Sequence, residues 1–395
     1  MSIKEIASQK LPEMIKNRRH MHMHPEVSFK EKETYQFILN HLQQYPELKI
    51  RENVGTNEQN EGRGIVASIG EGHPHIAVRA DFDALPIEDQ KDVPYKSQNP
   101  GVMHACGHDG HTSTLLALVD TVVLNKANLK GTVSFIFQYG EEEQPGGAMA
   151  MTNDGALEGV DKVYGQHYWS QFDTNEIQTR PGALIASPDG FYITIKGSGG
   201  HAAYPDTTVD PIVVAAELIT NLQTAVSRQI SAIDNAVVTV GSVQGGDAFN
   251  VIPDTVRVIG TVRTFKQEVK EKIYEIFKAE VEHTTKKRGA TYNMDYVFGY
   301  PAVINHEEEA KVIEAAAKSL DLPYKEADPL MIGEDFSYYI LEKPGAFFYT
   351  GTGNIDKNSR HAHHTDMFDL DEDGLESALM MFMKILELES VIEWN

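Results

Sequence analysis

The strongest chemical signal in the chain lies in residues 104–111, whose sequence is His-Ala-Cys-Gly-His-Asp-Gly-His. Cys106 is the only cysteine of the chain. The small residues between the histidines allow tight turns, so that several side chains can converge on one point. A thiolate beside imidazoles and a carboxylate suits zinc or a neighbouring transition metal better than calcium or magnesium. This segment therefore predicts a metal site, and a sharp histidine-rich loop without a metal is the alternative.

Three predicted strands end in side chains of the same ligand types. The segments 75–80, 132–138 and 162–167 are apolar strand patterns that alternate with helical patterns, which predicts an α/β fold with a mostly parallel sheet. Because the carboxyl ends of parallel strands meet at one edge of a sheet, the residues that follow them should converge there. These residues are Asp81, Asp83, Glu141, Glu142 and His167. Such a set suits two metal ions about 3.5–4 Å apart, with an adjacent carboxylate as proton acceptor.

Two features precede the predicted sheet. A first helix is predicted over residues 3–19, and histidines then alternate in residues 20–24. An extended backbone would put these histidines on one face. On that face they could form a second metal site, or they could pack against the core or line the substrate site. Ser28 and Glu31 have the spacing of a capping box, which predicts a helix running to about Tyr45.

The middle of the chain has a different character, because the acidic and histidine clusters stop over residues 184–299. Alternating strand patterns and two helical patterns predict a compact α+β sandwich inserted into a larger domain formed by residues 1–183 and 300–395. A glycine-rich stretch at residues 197–205 lacks the spacing of a dinucleotide loop, so it is interpreted as a flexible loop that delivers His201 to a site.

Composition limits the classes of protein that the chain can represent. A length of 395 residues predicts two domains, and 41% hydrophobic with 24% charged residues is typical of a globular protein. The net charge of −23, from 35 Lys and Arg against 58 Asp and Glu, argues against nucleic acid or an anionic membrane as a partner. One cysteine cannot form an internal disulfide, and no apolar run is long enough for a membrane span, so a cytoplasmic location is expected.

Seven short motifs in family order together resemble one known family, and the resemblance runs from about residue 18 to residue 369, nearly the whole chain. They are Arg-Arg-x-x-His-x-His-Pro-Glu (18–26), Arg-Ala-Asp-x-Asp-Ala-Leu-Pro (79–86), His-Ala-Cys-Gly-His-Asp-x-His (104–111), Gly-Gly-His-Ala-x-x-Pro (199–205), Asn-Val-Ile-Pro (250–253), Gly-Thr-Val-Arg (260–263) and Glu-Asp-Phe-Ser (334–337). The chain resembles the amidohydrolase branch of the aminoacylase/carboxypeptidase G2 metallopeptidase family. Members of that family include hippurate hydrolases, indole-acetyl-amino-acid hydrolases and N-acetyl-diaminopimelate deacetylases.

The resemblance implies a dinuclear metal site in the larger domain and a smaller lid domain that also forms a dimer. The positions that match the family's metal ligands are Cys106, His108, Glu142, His167 and His364. Tyr139-Gly140 stands where the family has Pro-Ala, and a third glutamate follows Glu141 and Glu142. The assignment of these two glutamates to the family's positions could therefore shift by one residue. His364 is preferred over His363 because of its four-residue distance from Phe368.

The resemblance also implies roles for five residues besides the ligands. Glu141 matches the general base, and Asp83 would orient a ligand from behind. His201 matches a lid histidine that reaches the substrate, within the chain or across the dimer, and Asn250 and Arg263 would hold the substrate carboxylate. A homodimer or a dimer of dimers is expected.

The predicted activity is metal-dependent hydrolysis of the amide bond of N-acyl amino acids, with Glu141 taking a proton from a metal-activated water. The two ions are expected to be zinc or manganese, and cobalt or nickel would also suit these ligands. The nearest alternative activity is that of a dipeptidase or aminopeptidase that uses the same two ions. A cysteine hydrolase with Cys106 as nucleophile and His108 or His111 as base would leave the glutamates and His167 without a role. A non-catalytic binding protein is disfavoured by the complete set of ligands and base.

Overall fold

The computed structural model describes residues 1–56 and 62–394, which divide into two compact units. The first unit contains Met1–Leu184, Ile304–Asp328 and the described residues from Asp335 onward. The second contains Ile185–Val303 and Pro329–Glu334. Residues 57–61 and 395, which the predicted domain ranges include, lie outside the described residues.

The helices and strands have the following bounds. The strands are β1 (Lys49–Val54), β2 (Gly64–Gly70), β3 (His75–Asp81), β4 (Thr132–Gln138), β5 (Lys162–Asp173), β6 (Ile177–Thr179), β7 (Gly182–Ile185), β8 (Ser187–Lys196), β9 (Gly200–His201), β10 (Ala236–Gln244), β11 (Val251–Ile252), β12 (Thr255–Thr264), β13 (Thr291–Val297), β14 (Val303–Asn305), β15 (Tyr324–Glu326) and β16 (Gly345–Gly353). The α-helices are α1 (Ile3–Met23), α2 (Lys32–Leu42), α3 (His108–Leu124), α4 (Ala148–Asn153), α5 (Pro211–Thr224), α6 (Gln267–Lys287), α7 (Glu307–Ser319), α8 (Ser337–Glu342) and α9 (Gly374–Leu388).

The first unit is built on an eight-stranded sheet with the order β1-β2-β4-β3-β5-β16-β6-β15. The central strands β4, β3, β5 and β16 are parallel, whereas β1 and β2 are antiparallel to their neighbours. Strands β4 and β16 are buried along their whole length, as continuous apolar runs in a parallel sheet should be. The predicted fold class, an α/β fold with a mostly parallel sheet, is confirmed.

Helices α1, α3 and α9 pack against one another in the first unit. Helix α3 is buried from His108 to Val123, which explains why its sequence is apolar on every side. Among the described helices, none is both long enough and apolar enough to cross a membrane.

The second unit has an antiparallel sheet with the order β10-β12-β8-β13, and helices α5 and α6 pack on it. Its core contains side chains from both layers, among them Phe191, Ile193, Leu218, Ile273 and Phe277. The short strands β9 and β11 pair with each other, so that His201 lies opposite Val251.

Three predictions near the N-terminus are wrong. Helix α1 continues to Met23, so His20 and His22 are helical, with His22 buried and His20 exposed, and His24 is the C-cap residue. Ser28 and Glu31 do not form a capping box, because Glu31 is the N-cap residue of α2 and its side chain makes no capping bond. Helix α2 also ends earlier than predicted, at Leu42.

Candidate metal centre

The candidate ligands come from neighbouring elements of the first unit. Strand β3 lies between β4 and β5, all three parallel, so the segments that follow β3 and β4 leave the same edge of the sheet. Asp83 follows β3, and Glu141 and Glu142 follow β4. His167 differs from the prediction, since it lies inside β5, which continues to Asp173.

Cys106 and His108 flank the N-terminus of α3. Gly107 between them has a φ of +99°, a left-handed conformation that glycine adopts without a steric penalty. Close packing also explains Gly110, where a Cβ atom would lie 2.8 Å from the ring of Tyr168. The backbone can therefore turn between the thiol and the imidazole while the helix stays against β5.

The structure brings all five predicted ligands together. The Sγ atom of Cys106 lies 3.3 Å from Nε2 of His167, and Nε2 of His364 lies 3.3 Å from Oε2 of Glu142. Two overlapping groups have potential ligand atoms within 4.8 Å of one another: Cys106 with His108 and His167, and Cys106 with Glu142 and His364. Because Cys106 belongs to both groups, the five residues together would hold divalent metal in one continuous cluster.

Hydrogen bonds fix the orientation of two of the imidazoles. Nδ1 of His108 lies 3.0 Å from Oδ1 of Asp83, and Nδ1 of His167 lies 2.6 Å from the carbonyl oxygen of Tyr168. Each Nδ1–H therefore donates to an oxygen, and Nε2 is the ring nitrogen directed into the cluster. This is the usual arrangement of metal-binding histidines.

His111 is excluded as a ligand by its hydrogen bonds, although it lies within reach of Asp81 and His108. Its Nδ1 donates to Oδ1 of Asp81 at 2.6 Å, and its Nε2 accepts from the backbone N–H of Tyr168 at 2.9 Å. Both ring nitrogens are thus engaged, and the second bond holds the backbone next to His167.

The geometry favours His364 over His363 as the late ligand. Nε2 of His363 accepts from the backbone N–H of Ser170 at 3.2 Å, and its ring stacks on Trp169 with centroids 4.3 Å apart. His364 has a φ of +59° and directs its ring towards Glu142 instead.

The residues present fit a cation, on two observations. Within the described part of the chain, Nε2 of His108 and Oε1 of Glu142 are buried with no hydrogen-bond partner, although they lie only 3.8 Å apart. Burial lowers the pKa of His108, but the surrounding carboxylates, led by Asp81 and Asp83, outweigh it and raise that pKa to about 10. The cluster therefore carries excess negative charge in a buried place, which a metal ion would compensate.

Glu141 lies beside this cluster, in a turn whose backbone is hydrogen-bonded to two buried carboxylates. Its Oε2 is 4.0 Å from Nε2 of His108, and the residue is 7% exposed. The next residue, Glu142, donates its backbone N–H to Oδ2 of Asp83 at 2.9 Å. The preceding residue, Gly140, donates its backbone N–H to Oε1 of Glu31 at 2.8 Å.

Ser28 and Glu31 are site residues that the sequence analysis missed. Ser28 donates its hydroxyl to Oδ2 of Asp83 at 2.7 Å, the same oxygen that holds Glu142. The spacing of Ser28 and Glu31 drew attention to both residues, but the same spacing is typical of a capping box and was interpreted as one.

The three residues predicted to bind substrate belong to the second unit. His201 and Asn250 are exposed and adjacent, since the backbone N–H of Ala202 donates to the carbonyl oxygen of Asn250 at 3.1 Å. Arg263 lies on β12, half-buried, and donates from Nε to the carbonyl oxygen of Met331 at 3.1 Å.

A mixed α/β sheet with such a cluster at its edge is typical of metal-dependent hydrolases. Within that class, the chain belongs to the peptidase family M20/M25/M40, whose model matches residues 77–388. The predicted family and the predicted hydrolase class are confirmed.

Individual relatives are similar over most of the chain. The N-acetyl-L-cysteine deacetylase of Bacillus subtilis (strain 168) is 38% identical over 365 residues, which cover 92% of this chain and 85% of the relative. The N-acyl-L-amino acid amidohydrolase of Geobacillus stearothermophilus is 38% identical over 308 residues, or 78% of this chain and 81% of the relative. Among solved structures, the YXEP protein of Bacillus subtilis, described as a dinuclear metal binding peptidase from the M20 family, superposes with a TM-score of 0.82 at 34% identity, covering 98% of this chain and 100% of that one.

Proposed function

We propose that the protein hydrolyses the amide bond of N-acyl amino acids with two divalent metal ions. The observation that carries the proposal is the convergence of the five ligand candidates beside Glu141. Two buried ligand atoms among them have no hydrogen-bond partner within residues 1–56 and 62–394. The names of the two relatives above, a deacetylase of N-acetyl-L-cysteine and an amidohydrolase of N-acyl-L-amino acids, support this substrate class.

The ions would be held by Cys106, His108, Glu142, His167 and His364. Bound metal supplies Lewis-acid polarisation and a lower pKa for water. Glu141 takes the proton of the attacking water and returns it to the leaving amine. Asp83 keeps His108 in the tautomer that binds through Nε2.

The remaining predicted residues take the substrate in this proposal. His201 stabilises the developing charge on the carbonyl oxygen, and Asn250 with Arg263 binds the substrate carboxylate. The thiol and imidazoles favour zinc, cobalt or nickel, and the carboxylate also suits manganese.

The test is hydrolysis of N-acetyl, N-benzoyl and indole-acetyl amino acids by chelator-stripped protein, with and without added Mn²⁺ or Zn²⁺. Metal-restored release of the free amino acid is the expected result. Turnover that does not depend on added metal would contradict the proposal.

A dipeptidase or carboxypeptidase activity is the second candidate. The observation that favours it is the thermostable carboxypeptidase 2 of Saccharolobus solfataricus, which is 33% identical over 366 residues. Dipeptides in the same panel decide between the two candidates, because cleavage of dipeptides alone would move the function to a peptidase.

Glu141→Gln is expected to keep both metal ions and to lower kcat by about 10²–10⁴-fold, since general base catalysis contributes that much. The metal content of purified protein and kcat are the measurements. Glu143→Gln is the matched control, because Glu143 is exposed. Loss of activity in Glu143→Gln with retention in Glu141→Gln would shift the register of the acidic turn.

We also propose that the second unit forms a homodimer through β10. This strand lies at one edge of its sheet and exposes Val237 (37%) and Val243 (53%). An exposed apolar edge strand is a template for pairing with a second copy. Light scattering should give twice 44.0 kDa, and a Val237→Lys/Val243→Lys variant should give the monomer mass. A monomeric unsubstituted chain would refute the proposal.

The only cysteine has the proposed role of a metal thiolate, which fits the reducing cytoplasm. Cell fractionation tests this location.

A further inference from the structure

The turn that carries Glu141 is held on both sides by buried carboxylates. The backbone N–H before it, that of Gly140, donates to Glu31, and the backbone N–H after it, that of Glu142, donates to Asp83. Glu31 is 4% exposed and Asp83 is 1% exposed. The family resemblance gives a role to Asp83 but none to Glu31.

We infer that Glu31 is a positioning residue, which fixes the turn at Gly140 and thereby sets the positions of Glu141 and Glu142. The inference rests on the proposed function of those two glutamates.

Further contacts from the same segment support this assignment. Gly140 has a φ of +63°, and a Cβ atom there would lie 2.7 Å from the ring of Phe29. Ser28 donates to the Asp83 oxygen that holds Glu142. Residues 28–31 therefore contact the turn directly through the ring of Phe29 and the carboxylate of Glu31. The hydroxyl of Ser28 contacts it indirectly, through Asp83.

The alternative role for Glu31, capping of α2, is taken by another residue. The backbone N–H of Thr34, in the first turn of α2, donates to Oε2 of Glu26 at 2.8 Å, and the Thr34 hydroxyl donates to the same oxygen at 3.0 Å. The carboxylate of Glu31 makes no capping bond and is directed to Gly140 instead.

Removing the acceptor would leave the buried N–H of Gly140 without a partner. Because glycine has a wide choice of backbone conformations, the turn could then relax to another conformation and move both glutamates. A displacement of about 1 Å at a catalytic group costs on the order of 10²-fold in rate.

The experiment compares Glu31→Met, which keeps the length of the side chain without its acceptor, with Glu31→Gln, which keeps an acceptor for Gly140. Glu26→Met is the matched control, because it removes a neighbouring carboxylate that binds α2 and not the turn. Two properties are measured on chelator-stripped protein: the affinity and stoichiometry of Mn²⁺ binding by calorimetry, and kcat and KM for an N-acetyl amino acid after reloading.

Glu31→Met is expected to bind Mn²⁺ at least tenfold more weakly and to lose about 10²-fold in kcat, with KM within threefold. Glu31→Gln should stay within threefold of the unsubstituted protein in both properties, and Glu26→Met should do so even if its melting temperature falls. The inference is overturned if Glu31→Met behaves as Glu26→Met does, or if Glu31→Gln loses as much as Glu31→Met.

The two readouts separate this inference from the proposed function. If the unsubstituted protein cleaves no substrate of the panel, the proposed function fails, whereas Mn²⁺ binding still decides whether Glu31 positions the turn. If Glu31→Met does not fold, Glu31→Asp replaces it, with Glu26→Asp as its control: weaker Mn²⁺ binding in Glu31→Asp alone supports the inference, and equal binding overturns it.

Discussion

Asp83 connects three groups of the candidate metal centre at the scale of single atoms. One carboxylate oxygen orients His108, and the other accepts from Ser28 and from the backbone of Glu142. Burial raises the pKa of Asp83, but the hydrogen bond and charge of His108 outweigh burial and lower it. The side chain therefore acts as a charged acceptor for all three donors.

Asp83→Ala is expected to weaken metal binding by about 10–100-fold, the usual effect of losing a partner behind a metal-binding histidine. Competition with a chromogenic chelator measures the affinity. Ser28→Ala is the control, since it removes one donor to Asp83 and leaves His108 held. Equal affinity in Asp83→Ala and the unsubstituted protein would show that His108 keeps its orientation by packing alone.

Site residues with a strong local pattern were predictable from the sequence, whereas site residues whose partners are distant along the chain were not. Residues 104–111 are a dense ligand tract, so the pattern itself indicates a metal site. Ser28 and Glu31 bind partners 55 and 109 positions away, and no local spacing distinguishes them from a capping box.

At the scale of elements, Asp120 connects three helical segments of the first unit. This residue of α3 accepts from Lys10 of α1 at 2.8 Å, from His41 of α2 at 2.7 Å and from Tyr45 at 2.8 Å. Burial raises the pKa of Asp120, but the hydrogen bonds of His41 and Lys10 outweigh it and lower the pKa below its usual value. The ionised form therefore stabilises the folded state.

Asp120→Asn is expected to lower the free energy of unfolding at pH 7 by about 2 kcal/mol, since hydrogen bonds to a charged group are lost. A carboxylate with a lowered pKa stabilises the fold above its unfolded pKa, and this stability is lost as pH falls through the folded pKa. The difference between the two proteins should therefore shrink at pH 3. Urea unfolding at both pH values measures it.

The control for this prediction is Glu13→Gln, because Glu13 pairs with the same Lys10 at 3.3 Å but is 48% exposed. Its effect should stay below about 1 kcal/mol, as for other surface ion pairs. A difference at pH 3 as large as at pH 7 would mean that Asp120 acts by packing and not by charge.

The sheet was predictable where burial makes a strand continuously apolar, as in β4. The three-residue strands β6 and β15 escaped prediction because they are too short to show a period. Helix α1 was predicted to end early because the alternating histidines suggested extended backbone, whereas packing of α1 against α3 and α9 extends it to Met23.

At the scale of the whole molecule, metal binding should stabilise one unit selectively. All five ligand candidates lie in the first unit, and a ligand that binds only the folded state stabilises it by about 4 kcal/mol at a thousand times its Kd. Removal of the ions should therefore act on the first unit far more than on the second.

Hydrogen exchange with mass spectrometry, before and after chelation, checks this expectation. Exchange should become faster in peptides covering residues 104–111, 139–143 and 361–364. Peptides from β8 and β12 in the second unit are the internal control and should change little. Equal acceleration in both units would indicate that metal stabilises the chain without a preference for the first.

The pairing of β16 with β5 has a consequence for the order of synthesis. About 170 residues separate Asp173, the end of β5, from Gly345, the start of β16, and the whole antiparallel sheet of the second unit is encoded between them. At translation rates of about 5–20 residues per second, a ribosome takes roughly 9–35 s to cover that stretch. During this interval one edge of β5 lacks its partner strand, and an unpaired strand edge is prone to wrong pairing. The second unit should therefore fold first, and the first unit should depend on chaperones until β16 emerges.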